Sequence, residues 1–165
     1  MRVGIGYDLH RLVKGRPFIM GGITIESEFG PEGHSDGDAL SHAVADALLG
    51  AACMGDIGMW FPPDDAAFKN ADSIELLRKI FDAVSEKGYS IENIDSNIIC
   101  ERPKLSPHYE SMRKRLAEAL NLELDQVSVK AKTHEKLGEI GRSEAVAAQA
   151  IVLLSSKPFQ AGSIQ

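Results

Sequence analysis

Short apolar runs rich in β-branched residues alternate along this chain with longer stretches of helical periodicity. That alternation is what most restricts the fold, because it favours an α/β (α+β) domain with crossover connections over an all-helical bundle. Residues 3–7 read as a first strand. Residues 18–20 and 23–25, joined by Gly21-Gly22, read as a hairpin, since a Gly-Gly loop takes the positive φ values that a tight hairpin demands. Leu40, Val44, Ala47, Leu48 and Ala51 recur at helical spacing and predict a helix over 38–53. A second helix is predicted over 73–87, stopped by Gly88, and a charged amphipathic one over 109–120. Strands are predicted at 94–100 and 127–132. Residues 145–154 suit a helix by their alanines and a buried strand by their Ile-Val-Leu-Leu end.

A chain of 165 residues has room for one such domain, placed at 1–157, with 158–165 as a frayed, disordered tail. At this length roughly 70% of the unfolded surface is buried on folding, so no disulfide is needed. Cys53 and Cys100 lie too far apart for a CxxC pair and point to a reducing, intracellular setting. Acids outnumber Lys and Arg by 24 to 18, the net charge is −6 and aromatic residues make up 6%, which argues against a nucleic-acid groove. No apolar run approaches the roughly 20 residues of a bilayer span, and the start of the chain is too interrupted for a secretory leader. The expectation is a cytoplasmic protein with neither nucleic acid nor membrane as partner. If its ligand carries phosphate, something local has to reverse the sign of the field.

Three of the five histidines, His10, His34 and His42, fall in the first quarter of the chain among several aspartates. Asp8 and His10 stand two apart, so an extended backbone sends both side chains to one face. His42 lies on the following helix with Asp38 one turn before it and Asp46 one turn after, placed to receive the imidazole N–H that a metal does not use. Asp8, His10 and His42 would make a site of two nitrogens and one oxygen, and three protein ligands leave a tetrahedral metal the open position of a catalytic site. The alternative is that each histidine is a surface or capping residue. Residues 33–38 suit either an ordinary helix start or an anion site, and Gly55-Asp56-Ile57-Gly58 either a ligand approach or a turn. Residues 61–65 read as an exposed loop, open to a lid role. Residues 130–138 mix cations, a Thr hydroxyl and a carboxylate, as a magnesium diphosphate requires, though such a cluster also makes a solvated turn. Gly4-Ile5-Gly6 lacks the third glycine of a dinucleotide fingerprint.

Taken together, these segments resemble the 2-C-methyl-D-erythritol 2,4-cyclodiphosphate synthases of the non-mevalonate isoprenoid pathway, over about residues 1–156. The motifs are Gly-Tyr-Asp-Leu-His at 6–10, His-Ser-Asp-Gly-Asp at 34–38 with His42, Ala-Asp-Ala-Leu-Leu-Gly at 45–50 and Gly-Asp-Ile-Gly at 55–58. Phe-Pro at 61–62, Pro-Lys at 103–104 and Thr-x-Glu-Lys-Leu-Gly at 133–138 follow in the family's order. The resemblance implies a mixed β-sheet packed on helices, with 145–154 as one of its strands, and an intramolecular phosphoryl transfer that releases CMP, a lyase reaction. It implies zinc at Asp8, His10 and His42, and magnesium or manganese on the substrate diphosphate at Glu135. His34 and Thr133 match positions of transition-state stabilisation. Ser35, Asp56, Ile57 and Gly58 match the methylerythritol phosphate end, and Phe61, Pro62, Pro63, Asp64 and Asp65 a segment over the substrate. Cys100, Glu101, Arg102, Pro103, Lys104, Leu105 and Ser106 match the cytidine pocket, with Ala131, Lys132, His134, Glu139 and Arg142 among the remaining contacts. The family is a homotrimer with its sheets facing the threefold axis and its active sites between subunits. An axial cavity that accepts isoprenoid diphosphates would here involve Tyr7 and Arg142.

The chain departs from the family at Lys132 and His134, where many members carry Thr, at Glu139 in place of an aromatic residue, and at Gln149 in place of an acid. None of these removes a metal ligand. Two other readings use the same residues: a metal-dependent phosphohydrolase, and a non-catalytic trimeric metal or metabolite binder.

Overall fold

In the computed structural model, which describes residues 1–62, 64, 65, 68 and 70–156, the first strand runs well past its apolar start. β1 spans Arg2–Lys14. Its polar residues do not end it, because strand partners hold its backbone along most of its length. From Arg2 to Arg11 it pairs antiparallel with the last strand, β7 (Ala145–Ser156), and from Leu12 to Lys14 with β4 (Phe29–Pro31). The segment at 145–154 is therefore a strand, as the family resemblance implies. It lies between β1 and β5 (Tyr89–Ile99) and is hydrogen-bonded on both sides, so its alanines serve close packing and not helix formation.

The sheet order is β4-β1-β7-β5-β6, with β6 at Val127–Lys132. Every pairing is antiparallel except β5 with β6. That parallel pair requires a crossover, and the predicted helix α4 (Tyr109–Leu120) supplies it. The hairpin of β2 (Phe18–Met20) and β3 (Ile23–Ile25) forms a separate small sheet. It turns at Gly21-Gly22, whose φ values of 58° and 71° fit the expected glycine loop.

α1 (Ala39–Ala52) and α3 (Ser73–Glu86) cover one face of the sheet together with α4, and the core lies between. Within α1 every residue is buried except His42, Asp46 and Gly50, which share one stripe at four-residue spacing. The helix sits directly on β1. A Cβ added at Gly6 would fall 1.9 Å from the Ala43 carbonyl oxygen, and one at Gly4 1.9 Å from that of Ala47. The opposite face of β1 is uncovered: Val3, Ile5, Tyr7 and Leu9 are exposed.

The sequence patterns missed β4, the one-turn helices α2 (Ile57–Trp60) and α5 (Gly138–Gly141), and the 3₁₀ turns at Ser106–His108 and Leu124–Gln126. Each is too short to show a period. Among the described residues no helix is long and apolar enough to cross a membrane. Pro63 and the expected tail at 158–165 lie outside the described residues.

The Gly6 contact generates a prediction. Gly6→Ala drives a methyl group into backbone, and overpacking of this kind costs about 2 kcal/mol. For a chain of this size the melting midpoint should fall by about 4–8 °C in differential scanning calorimetry. An unchanged midpoint would mean that α1 backs away freely.

Candidate active site

Asp8 and His10 leave the same face of β1, and the first turn of α1 lies over that face, so His42 meets them. Asp8 Oδ2 stands 2.6 Å from His10 Nε2 and 2.9 Å from His42 Nδ1, and the two nitrogens are 3.2 Å apart. Two nitrogens and one oxygen therefore converge on one point, each side chain largely shielded from solvent. Ligands of a tetrahedral metal at about 2.0–2.1 Å stand about 3.3–3.4 Å from one another, so the triangle needs to open by only tenths of an ångström to hold one. The His10 tautomer fits as well. Its Nδ1 lies 2.6 Å from the Glu32 carbonyl oxygen, which only accepts, so Nδ1 donates and Nε2 is the nitrogen that faces the triangle, donating to Asp8 while the ring is protonated and offering a lone pair where a cation takes that proton's place. The donor chemistry is that of a divalent metal site with an open position.

Burial works against the Asp8 charge, but hydrogen bonds with His10 and His42 outweigh it and hold the carboxyl well below the usual carboxylate range. Burial likewise favours neutral His10, yet the hydrogen bond and charge of Asp8 raise its pKa above the ordinary histidine value.

The two aspartates flanking His42 do not receive its ring N–H. Asp38 is fully buried. As N-cap of α1, it accepts from the Ser41 N–H and hydroxyl and from the N–H groups of Gly21 and Gly22. Cap geometry turns its carboxylate over the helix end, so it joins the hairpin to α1. Asp46 accepts the Ile57 N–H at 2.8 Å, which places α2. Burial raises the pKa of Asp46, and the charges of Asp56 and Asp8 add to the shift against the opposing Ile57 hydrogen bond. Nε2 of His42 instead faces Ser73 Oγ and Ser35 Oγ.

A cavity of about 240 Å³ opens beside the triangle, lined by His10, His34, Ser35, His42, Ile57, Gly58, Phe61, Phe68 and Leu76. Phe61 packs edge-on against Phe68 at 5.1 Å, so it belongs to the cavity wall and not to an exposed loop. Asp64 and Asp65 are exposed. Asp56 caps α2 through the Met59 N–H. Sequence patterns gave no reason to single out Phe68 or Leu76, since isolated apolar residues carry no signature of what they line.

Residues of the expected cytidine end meet in a second cavity, of about 170 Å³. Cys100, Glu101, Pro103, Lys104, Leu105, Ser106, Ala131, Lys132 and Thr133 line it, together with Tyr109, which had not been singled out. Arg102 is not in the lining, although its carbonyl accepts from the Cys100 thiol. Glu135, at φ 49°, accepts from the Thr133 hydroxyl at 2.6 Å. Glu101 supports that turn by accepting from the N–H groups of His134 and Lys136. The two cavities share one end of the sheet, since His10 pairs with Val146, and Ile99 with both Ala147 and Lys132. The strands that carry them, β1 and β6, nevertheless stand three interstrand steps apart in the sheet, about 14 Å.

His134 and Glu139 line a third cavity, of about 470 Å³, with Tyr7 and Leu9. Arg142 is held by Glu144 at 3.0 and 3.1 Å and lies 3.7 Å from Glu139. The Glu139 departure thus gives this arginine a second acidic neighbour.

The sequence and the mixed five-stranded fold that carries this triangle have counterparts among known proteins. The YgbB family matches residues 1–155. A protein of Synechococcus elongatus named 2-C-methyl-D-erythritol 2,4-cyclodiphosphate synthase is 53% identical over 153 residues, covering 93% of this chain and 96% of that protein. A solved structure of a synthase of that name, in a CDP-bound form, superposes with a TM-score of 0.86 at 38% identity, covering 93% of this chain and 100% of its own. The IspF–CDP complex of Plasmodium falciparum superposes with a TM-score of 0.83 at 36% identity, covering 94% and 96%. The chain belongs to the YgbB family.

The second cavity makes a chemical prediction. Burial pushes the Cys100 thiol up to about 12, although the Arg102 carbonyl contact works the other way, whereas Cys53 is exposed. Iodoacetamide at pH 8 should label Cys53 and spare Cys100 in the native protein, and label both in urea, as read by peptide mass mapping.

Proposed function

We propose that this chain is a phosphorus–oxygen lyase that converts 4-diphosphocytidyl-2-C-methyl-D-erythritol 2-phosphate to 2-C-methyl-D-erythritol 2,4-cyclodiphosphate, with release of CMP, in the non-mevalonate (MEP) pathway of isoprenoid precursor biosynthesis. The observation that carries the reading is the Asp8, His10 and His42 triangle beside a lined cavity, in a chain whose family relatives bear the synthase name.

In the reaction, an oxygen of the 2-phosphate attacks the β-phosphorus of the same molecule. The new P–O bond closes the ring, and the bond from the β-phosphorus to the CMP oxygen breaks, its electron pair leaving with CMP. Catalysis of this kind is mainly positioning and charge stabilisation. Zinc at Asp8, His10 and His42, and magnesium or manganese at Glu135, would supply the positive charge that neutralises the phosphate oxygens. His34 and Thr133 are assigned to the transferring group. The His34 and Ser35 segment is well held for its role: Arg16 donates to the Ser35 carbonyl at 2.7 Å, and the His34 carbonyl accepts from Asn70 N–H at 2.8 Å. Ser35, Asp56, Ile57 and Gly58 take the methylerythritol end. Phe61 and Pro62, with Asp64 and Asp65 beyond them, exclude water over it. The 100–106 and 131–133 cavity takes cytidine, with Lys104 and Lys132 supplying cations beside the phosphates.

A homotrimer with sheets facing the threefold axis is part of the proposal. Two features support it: the two cavities belong to strands about 14 Å apart within one chain, and the apolar face of β1 is exposed. Each active site then joins the metal side of one subunit to the cytidine side of the next. The cytoplasm, where Cys53 and Cys100 stay reduced, is the proposed location.

Phosphorus NMR of the substrate with protein, zinc and magnesium should show two coupled cyclic-diphosphate resonances and CMP. Linear hydrolysis products, or no turnover, would refute the reading. His42→Ala should abolish turnover while light scattering still gives about three times the chain mass of 17.9 kDa; unaltered turnover would sink the metal triangle. Lys132→Ala should lower kcat/KM by about tenfold, as loss of a charged phosphate contact worth about 1.4 kcal/mol would. Unchanged constants would remove Lys132 from the site.

A further inference from the structure

The imidazole of His42 is gripped from behind. Its Nδ1 faces Asp8 and His10, while its Nε2 lies 2.8 Å from Ser73 Oγ and 3.1 Å from Ser35 Oγ. Ser73 opens α3 and is 1% exposed. Asp36 holds it twice, accepting the Ser73 N–H on Oδ2 at 3.0 Å and the Ser73 hydroxyl on Oδ1. An ionised carboxylate has no proton to give, and a serine hydroxyl has one. With that proton committed to Asp36, Ser73 Oγ offers His42 lone pairs alone. The ring must then carry a proton on Nε2, so Nδ1 is the nitrogen left to give its lone pair to a cation in the triangle.

We propose that Asp36 and Ser73 are positioning residues of the metal centre, selecting the Nε2–H tautomer of His42 and aiming Nδ1 at a divalent cation. The inference rests on the reading of Asp8, His10 and His42 as a metal site. It parallels His10, whose outward nitrogen is fixed by the Glu32 carbonyl, except that at His42 the fixing groups are side chains. Asp36 is itself anchored. Its N–H donates to the Ala71 carbonyl at 3.1 Å, and its Oδ1 also accepts the Asp38 N–H at 3.1 Å. The relay therefore ties the segment leading into α1 to the start of α3, and a ligand on α1 is oriented by a residue on α3. Ser35 Oγ is the more distant neighbour of Nε2, and its other contacts are the Gly37 N–H at 3.5 Å and Ser73 Oγ at 3.4 Å, with no carboxylate to orient it among the hydrogen bonds of the described residues.

The test is a cobalt(II) titration of the metal-free full chain against a chromophoric chelator. Ser73→Ala should weaken cobalt binding about 10–100-fold, the usual effect of removing an outer partner of a ligating histidine. Ser73→Thr, which keeps the hydroxyl, should restore affinity to within about threefold of the parent. Asp36→Asn leaves Ser73 in place but turns one of the two acceptor oxygens that hold it into a donating amide, so Ser73 no longer faces an acceptor-only partner and binding should weaken as well; it carries the test if Ser73→Ala does not fold. In the zinc-loaded parent the hydrogen-bonded His42 Nε2–H should appear as a slowly exchanging downfield proton resonance, lost in Ser73→Ala. Parental cobalt affinity in both Ser73→Ala and Asp36→Asn would overturn the inference and leave the metal site standing. A parent protein that takes up no cobalt would overturn the metal reading and this inference with it.

Discussion

The contact on which the rest depends is backbone against backbone. α1 lies so close to β1 that nothing larger than hydrogen fits at Gly4 and Gly6, and this closeness sets the reach of His42. The same face of β1 that carries the two glycines carries Asp8 and His10 further along, so the helix packed on the glycines brings its first turn over the carboxylate and the imidazole. Asp38 holds that same end of the helix by binding the hairpin glycines and the first turn of α1 with one carboxylate. A metal site made from two secondary elements is only as well defined as the distance between them, and here that distance is set by hard contacts that vary little.

The acidic balance of the chain takes on a different meaning beside this geometry. A net charge of −6 is an awkward start for a protein that handles phosphates. Yet the aspartates around the triangle are spent as acceptors. Asp36 binds Ser73, Asp38 and Asp46 bind backbone N–H groups, and Asp56 caps α2. Asp8 alone among them joins the ligand triangle. A cation held there, with Lys104 and Lys132 lining the other cavity, would make a positive local field compatible with an acidic whole.

The long periodic elements were legible. The helix at Tyr109–Leu120 and the strand at Val127–Lys132 have the predicted limits, because their amphipathic pattern spans several repeats. The Asp8, His10 and His42 set was legible as a strand pair plus a helical residue. What supports His42 was not. Four-residue spacing put Asp38 and Asp46 on its side of the helix, but one turned to cap the helix end and the other to hold α2, while Ser73 arrived from 31 residues away. Spacing along a helix reports neighbours on that helix and nothing about what packs across it. For the same reason Phe61 read as loop, although Phe68 stacks on its edge and turns it into a wall.

By itself, the sequence determined the long periodic elements, the glycine turn of the hairpin, the residue types of a candidate three-ligand metal site and, through its ordered motifs, the family. These follow from local preference and from periodicity, which a linear string contains in full. Tertiary structure alone decided that 145–154 lies between β1 and β5, that His42 is oriented from α3, and that the cavity beside the triangle and the 100–106 cavity stand apart in one chain. Each of those depends on which distant segments meet. Strand pairing and helix packing are set by the free energy of the whole core, and no local window of residues encodes them.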